Sequence, residues 1–214
     1  MVLVRKLKPR WLQILTHLAG LLPLVWLLWA YWQGLFIIDP VQEITTRTGK
    51  TTLILLILSL ACTPISTISG FKQVLRVRRA LGLYAFMYAS LHFLTFVGLD
   101  YGFDLDLIRY DIVDQRYVLV GFAAGLLLLL LAITSTQGWQ KRLGKNWKRL
   151  HRLVYLASAM AIVHFAWQVK DIREPLRYGA VLALFLILRI PGVRRAASNV
   201  RYQLKMSRQS QSEA

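Results

Sequence analysis

Four histidines, His17, His92, His151 and His164, are the residues of this 214-residue chain whose type and setting point to chemistry. Each lies in, or at the mouth of, an apolar stretch. Imidazole surrounded by hydrocarbon is costly without a partner, so it marks a function by default. Two neutral imidazoles facing one another could take both axial positions of a haem iron. Other chemistries lack their residues. No nucleophile–base pair or carboxylate dyad stands out, and the single cysteine, Cys62, excludes an internal disulfide and a Cys-ligated zinc or iron–sulfur site. No G-x-G-x-x-G follows a strand pattern and there is no P-loop. The polar connections are too short to fold a nucleotide-binding domain. Hydride from a nicotinamide is therefore not expected to be taken unaided, and electrons would arrive from a quinol, a bound flavin or a soluble reductase.

The elements that must position these residues are helices in a membrane. The chain is 56% hydrophobic and only 17% charged, with mean hydropathy +0.47. Apolar runs of about 17–25 residues, the length that crosses a hydrocarbon core of roughly 30 Å, recur along it. Six spans are expected, at residues 11–32, 51–69, 80–99, 117–136, 150–168 and 176–190. The fold class is all-α, a polytopic membrane bundle. The first run is too long for a signal-peptide core and no A-x-A pattern follows it, so it is read as a retained helix. Pro23 is expected to kink it, and Gly121 and Gly125 form a GxxxG step that suits close helix approach or ordinary membrane glycine usage. No internal repeat is visible. The segment 196–214 is polar and reads as a disordered tail after a membrane domain over residues 1–195.

A net charge of +17 could suggest nucleic acid, but its placement excludes that reading. Basic residues collect before the first span (Arg5, Lys6, Lys8, Arg10), between the second and third (Lys72, Arg76, Arg78, Arg79), between the fourth and fifth (Lys141 to Arg149), and in the tail. The alternate loops are poor in Lys and Arg, and the one after the third span is acidic, with Asp100, Asp104, Asp106, Asp111 and Asp114. This alternation satisfies the positive-inside rule with both termini cytoplasmic, and makes anionic lipid the partner of the basic loops.

Depth sorts the histidines. Counted from the cytoplasmic ends of their spans, His92 lies about 18 Å in and His164 about 21 Å in, at 1.5 Å per residue. Two outward-running helices thus carry an imidazole at similar depth, which suits one shared haem; an interhelical hydrogen bond is the plainer alternative for each. His151 stands thirteen residues before His164, about 20 Å along the helix, where a second haem could stack. On a straight helix it would point well off the His164 face, and the corresponding place before His92 is held by Arg78. His17 could supply the missing imidazole, while Arg78 could neutralise a haem propionate or a flavin phosphate. An interfacial helix-start residue is the bland alternative for His151.

Several motifs carry a family resemblance: His17-Leu-Ala-Gly-Leu-Leu-Pro23, Asp39-Pro40, Thr48-Gly49, Arg78-Arg79-x-Leu81-Gly82-Leu83, and Thr134-Ser-Thr-Gln137 followed by Lys141-Arg-Leu-Gly144, Trp147, Leu150-His151 and Tyr155. The chain resembles, over nearly its whole length, the MsrQ family, haem-binding membrane subunits of bacterial periplasmic protein-methionine-sulfoxide reductase systems. These belong with the ferric-reductase-like transmembrane domains. The resemblance implies a six-helix inner-membrane protein binding b-type haem, with FMN as a further cofactor. It implies electrons passing from the quinone pool or a cytosolic flavin reductase to a periplasmic molybdopterin-containing partner. Methionine sulfoxide reduction itself, the repair of oxidised proteins, falls to that partner. His92, His151 and His164 match the family's haem-associated histidines. Oxidase relatives carry two histidines on the third span where this chain has one, which leaves the number of haems open between one and two. The acidic outer loop is expected to dock the partner. Two other functions compete: a self-contained transmembrane ferric or quinone reductase, and a small proton-coupled transporter. Against the transporter stand the absence of buried Asp or Glu in the spans and of inverted repeats.

Overall fold

The computed structural model describes residues 11–193 together with Arg195 and Asn199; the basic segment 1–10 and nearly all of the expected polar tail 196–214 lie outside the described residues. Every regular element among the described residues is helical. Five helical stretches are long and apolar enough to cross a membrane: Trp11–Trp32, Pro40–Ser69, Arg78–Asp100, Arg116–Ile133 and Lys145–Gln168. Their outward faces are apolar, as with Leu18, Leu22 and Leu28 on the first of them, which is the pattern of a lipid-facing surface.

α1 (Trp11–Trp32) runs through Pro23 without interruption. It meets the bundle at Gly20, whose bare Cα lies under the Tyr84 ring and whose carbonyl accepts the Tyr88 hydroxyl at 2.8 Å. α2 (Pro40–Ser69) begins eleven residues before the expected second span. Residues 40–50 are polar and so escape a search by apolar length. Asp39 nonetheless caps the helix by accepting from the Gln42 amide, with Pro40 at the first helical position, and both are strong start signals. α2 ends at Gly70, which takes the left-handed conformation that glycine adopts without a Cβ penalty.

α3 (Arg78–Leu94) follows a short 3-10 turn, and its apolar run continues as a π-helical stretch, Thr95–Asp100, just beyond His92. The acidic outer loop is itself a helix, α4 (Leu105–Asp114), started by the Asp104 side chain accepting from the Asp106 and Leu107 amides. α5 (Arg116–Ile133) leads to two short basic helices, α6 (Gln137–Leu143) and α7 (Lys145–Leu150), turned against each other at Gly144. α8 (Leu153–Gln168) carries His164. α9 (Arg173–Ile187) is a 15-residue helix in the place of the expected sixth span.

The core lies where α2, α3, α5 and α8 meet, around Leu55, Leu56, Ala85, Tyr88, Leu128 and Ala157. Ala85, Ala157 and Ser158 are fully buried, and such small side chains let membrane helices approach closely. α9 is tied on by Lys50 Nζ donating to Glu174 at 2.7 Å.

Candidate functional site

His92 on α3 and His164 on α8 are brought together in the four-helix core, their ring centroids 6.0 Å apart and their planes 82° to one another. Each ring is held by its back edge. His92 Nδ1 lies 2.8 Å from the Thr45 carbonyl on α2, and His164 Nδ1 lies 2.8 Å from the Tyr117 carbonyl on α5. A carbonyl can only accept, so both Nδ1 atoms carry the proton and both Nε2 atoms keep a lone pair. That is the tautomer a metal ligand needs, with the outer nitrogen oriented by a backbone acceptor. No hydrogen bond to either Nε2 occurs among the described residues.

The separation fits an iron between the rings. A metal–nitrogen bond of about 2 Å on each side, plus about 1 Å from each nitrogen to its ring centre, spans about 6 Å. Among the described residues no group of three or more His, Cys, Asp or Glu is gathered to hold a bare metal ion. A macrocycle contributing its own four nitrogens removes that need, so the donor set fits haem iron.

A glycine accompanies each histidine. A Cβ on Gly121 would come within 2.6 Å of His164 Nδ1, and one on Gly49 within 3.1 Å of His92 Nδ1. Of the GxxxG step, Gly121 therefore makes the close approach, while a Cβ on Gly125 would meet open space.

His151 belongs to a second cluster. It lies at the break between α7 and α8, not on a straight helix, so the angle counted from an unbroken helix does not apply. Its Nε2 is 3.2 Å from Thr134 Oγ1, and the Trp147 indole stacks on it with centroids 4.1 Å apart. Trp147 Nε1 donates to the Thr134 carbonyl at 2.8 Å. Arg78 acts electrostatically on His151, on Cys62 and on Arg189. Arg189 in turn donates to the Tyr155 hydroxyl and, at 2.5 Å, to the Leu60 carbonyl. No carboxylate pairs with either guanidinium among the described residues.

The structure does not bring His17 to His151. His17 is on the exposed side of α1, with Nδ1 2.9 Å from the Tyr84 hydroxyl. The pair borders a groove of about 450 Å³ that Arg76 and Arg79 also line.

The family model described as "Ferric reductase like transmembrane component" matches residues 48–162. A relative from Xanthomonas euvesicatoria pv. vesicatoria, "Protein-methionine-sulfoxide reductase heme-binding subunit MsrQ", is 47% identical over 183 residues, covering 82% of this chain and 84% of its own. The chain belongs to the MsrQ family. Proteins of the same name from Xanthomonas axonopodis pv. citri and Xanthomonas oryzae pv. oryzae are 46% and 45% identical, over 82% and 80% of this chain and 84% and 82% of their own. Together with its five apolar spans, membership makes it a multi-pass membrane protein.

Residues with no expected role stand out beside the MsrQ histidines. Thr45 and Tyr117 act through their carbonyls, which leave no mark in side-chain identity. Gly49 and Arg189 were also missed. One signal was available: Gly49 precedes His92 by the same interval at which Gly121 precedes His164.

Proposed function

We propose that the chain is a haem-bearing electron-transfer subunit of the bacterial inner membrane, in which His92 and His164 would hold the haem. One observation carries the reading: two neutral imidazoles at an iron-sized separation, each with Nδ1 tied back to a carbonyl. Haem b, when bound, supplies a one-electron ferric/ferrous couple. The residues do the rest. The His92 and His164 imidazoles would hold the haem iron between them, which would favour electron transfer over oxygenation. The Thr45 and Tyr117 carbonyls raise the basicity of their histidines.

The proposed frame is six crossing helices, α9 the last, with both termini cytoplasmic and the membrane domain ending near residue 195. Helix α9, about 22 Å long at 1.5 Å per residue, is the proposed sixth crossing element. Electrons enter on the cytoplasmic side from the quinone pool or a flavin reductase. FMN is the proposed further cofactor, with Arg76, Arg78 and Arg79 as the cations for its phosphate. His151 is the candidate for a second haem through Nδ1, since its Nε2 faces the Thr134 hydroxyl, with Arg78 as the nearby cation. Electrons leave to a periplasmic molybdopterin-containing subunit, on which methionine sulfoxide is reduced, and α4 with its aspartates is the proposed docking face. The relatives' shared name, a haem-binding subunit of a protein-methionine-sulfoxide reductase, supports this assignment.

The test is electron delivery in proteoliposomes. A quinol or a reduced flavin reductase should raise the reduced-haem absorption, and the molybdopterin subunit with a methionine-sulfoxide protein should then discharge it. Reduced haem that the partner leaves untouched would refute the proposed direction of flow.

A further inference from the structure

The two histidine units are copies of one device. Both Nδ1-to-carbonyl bonds span the same 47 residues of chain. In each, the acceptor carbonyl belongs to the residue one helical turn before a glycine, Thr45 before Gly49 and Tyr117 before Gly121. The sequence thus repeats after all, through two glycines and two histidines rather than any run of identities.

Helix geometry explains why glycine stands there. The carbonyl of residue i already accepts the amide of residue i+4, and the side chain of i+4 shields it from the flank. With glycine at i+4 the flank is bare, and an imidazole can lie against the backbone and share the carbonyl. The distances grade the requirement. A Cβ at Gly121 would sit 2.6 Å from Nδ1, 2.8 Å from Cε1 and 3.0 Å from Cγ of His164. At Gly49 the approach to His92 Nδ1 and Cε1 would be 3.1 Å. The first demands that the ring move; the second asks for a few tenths of an ångström.

We propose that Gly49 and Gly121 are positioning residues for the ligand pair. Each opens a helix carbonyl to an imidazole and thereby fixes its tautomer, its plane and its basicity. This rests on the haem reading above, and the experiment separates the two. The full chain and its Gly49→Ala, Gly121→Ala and Gly125→Ala variants are purified in detergent. Electron paramagnetic resonance and redox titration are recorded with haem, and histidine ¹⁵N NMR without it.

The wild type should give the large-gmax low-spin signal of near-perpendicular axial imidazoles. Gly125→Ala should match it, Gly49→Ala should shift the g values and raise the potential, and Gly121→Ala should convert the iron to high spin. Haem affinity in Gly121→Ala should fall about 10–100-fold, the range for loss of an outer partner of a ligand. In the haem-free protein, His92 and His164 should show the Nδ1–H tautomer, lost at His164 in Gly121→Ala. Wild-type g values and potential in Gly121→Ala, or equal effects of Gly121→Ala and Gly125→Ala, would overturn the inference. An Nε2–H tautomer in the wild type would overturn it as well. The Nδ1–H pattern in a wild type that takes up no haem would uphold the positioning and refute the haem reading alone.

Discussion

Replacing Thr134 by valine tests the second cluster with the least disturbance. The change removes a hydroxyl and keeps the branched shape. Thr134 Oγ1 lies 2.7 Å from the Leu130 carbonyl, so its proton points there and the oxygen accepts from His151 Nε2–H at 3.2 Å. In the variant the Leu130 carbonyl keeps the Thr134 amide at 3.1 Å, and the Trp147 indole keeps the backbone carbonyl of residue 134. The loss therefore falls on His151, half-buried, which gives up the Thr134 hydroxyl and keeps only its contact with the backbone of residue 134. An intramolecular hydrogen bond nets about 0.5–1.5 kcal/mol, or roughly a 2- to 13-fold change in an equilibrium constant. Thr134→Val, His151→Ala and the double variant would be compared by reversible unfolding in mixed micelles. His151→Ala also loses the stack on Trp147, but that term cancels in the cycle. The account expects a coupling of about 0.5–1.5 kcal/mol. Effects that add to within about 0.3 kcal/mol would refute the bond as the element that seats His151.

Other perturbations have equally definite outcomes. Gly20→Ala puts a Cβ 2.7–2.9 Å from three atoms of the Tyr84 ring and should destabilise by about 1–3 kcal/mol. Gly125→Ala, facing open space, should stabilise by about 0.5–1 kcal/mol, and thermal shifts of equal sign would contradict the packing of α1. Asp106 and Asp114 are exposed, whereas Asp104 caps α4 and Asp111 accepts from the Tyr101 hydroxyl, so the docking face is tested by Asp106→Asn with Asp114→Asn. Electron delivery to the partner should be slower than in the wild type at low salt with haem content unchanged, and the gap should close in high salt, where screening slows the wild type as well; unchanged delivery at low salt would sink the docking proposal. The hydrogen bond to Asp111 pushes the Tyr101 phenol up to about 12. The folded chain therefore holds a proton that the unfolded chain releases near pH 10, and stability falls as pH rises from about 10 to 12. Asp111→Asn should bring that phenol down toward 10 in a spectrophotometric titration read against Tyr101→Phe, and an unshifted phenol would contradict the assignment.

How much the sequence discloses depends on where the information sits. Spans set by hydrocarbon thickness are legible: α1, α5 and α8 fall within a few residues of expectation because apolar length marks them directly. The matched depth of His92 and His164 was legible too, since rise per residue is fixed. The first eleven residues of α2 were not, because they are polar and their helix is declared only by Asp39 and Pro40. With them went Thr45 and Gly49, and so half of the imidazole support. His151 was placed on a straight helix because nothing in KRLHRLVY announces the turn that the structure puts there. His17 was weighed by depth alone, and the rotation of α1 that sets its Nδ1 2.9 Å from the Tyr84 hydroxyl was not legible. Depth follows from counting residues; azimuth follows from packing.

The most direct test of the central claim is the dithionite-reduced minus oxidised absorption spectrum of the detergent-purified chain, beside His92→Ala and His164→Ala. The account predicts low-spin b-type bands in the wild type and their loss in each variant while the protein stays folded. A wild type without haem bands from a haem-replete host, or bands that survive in both variants, would contradict it.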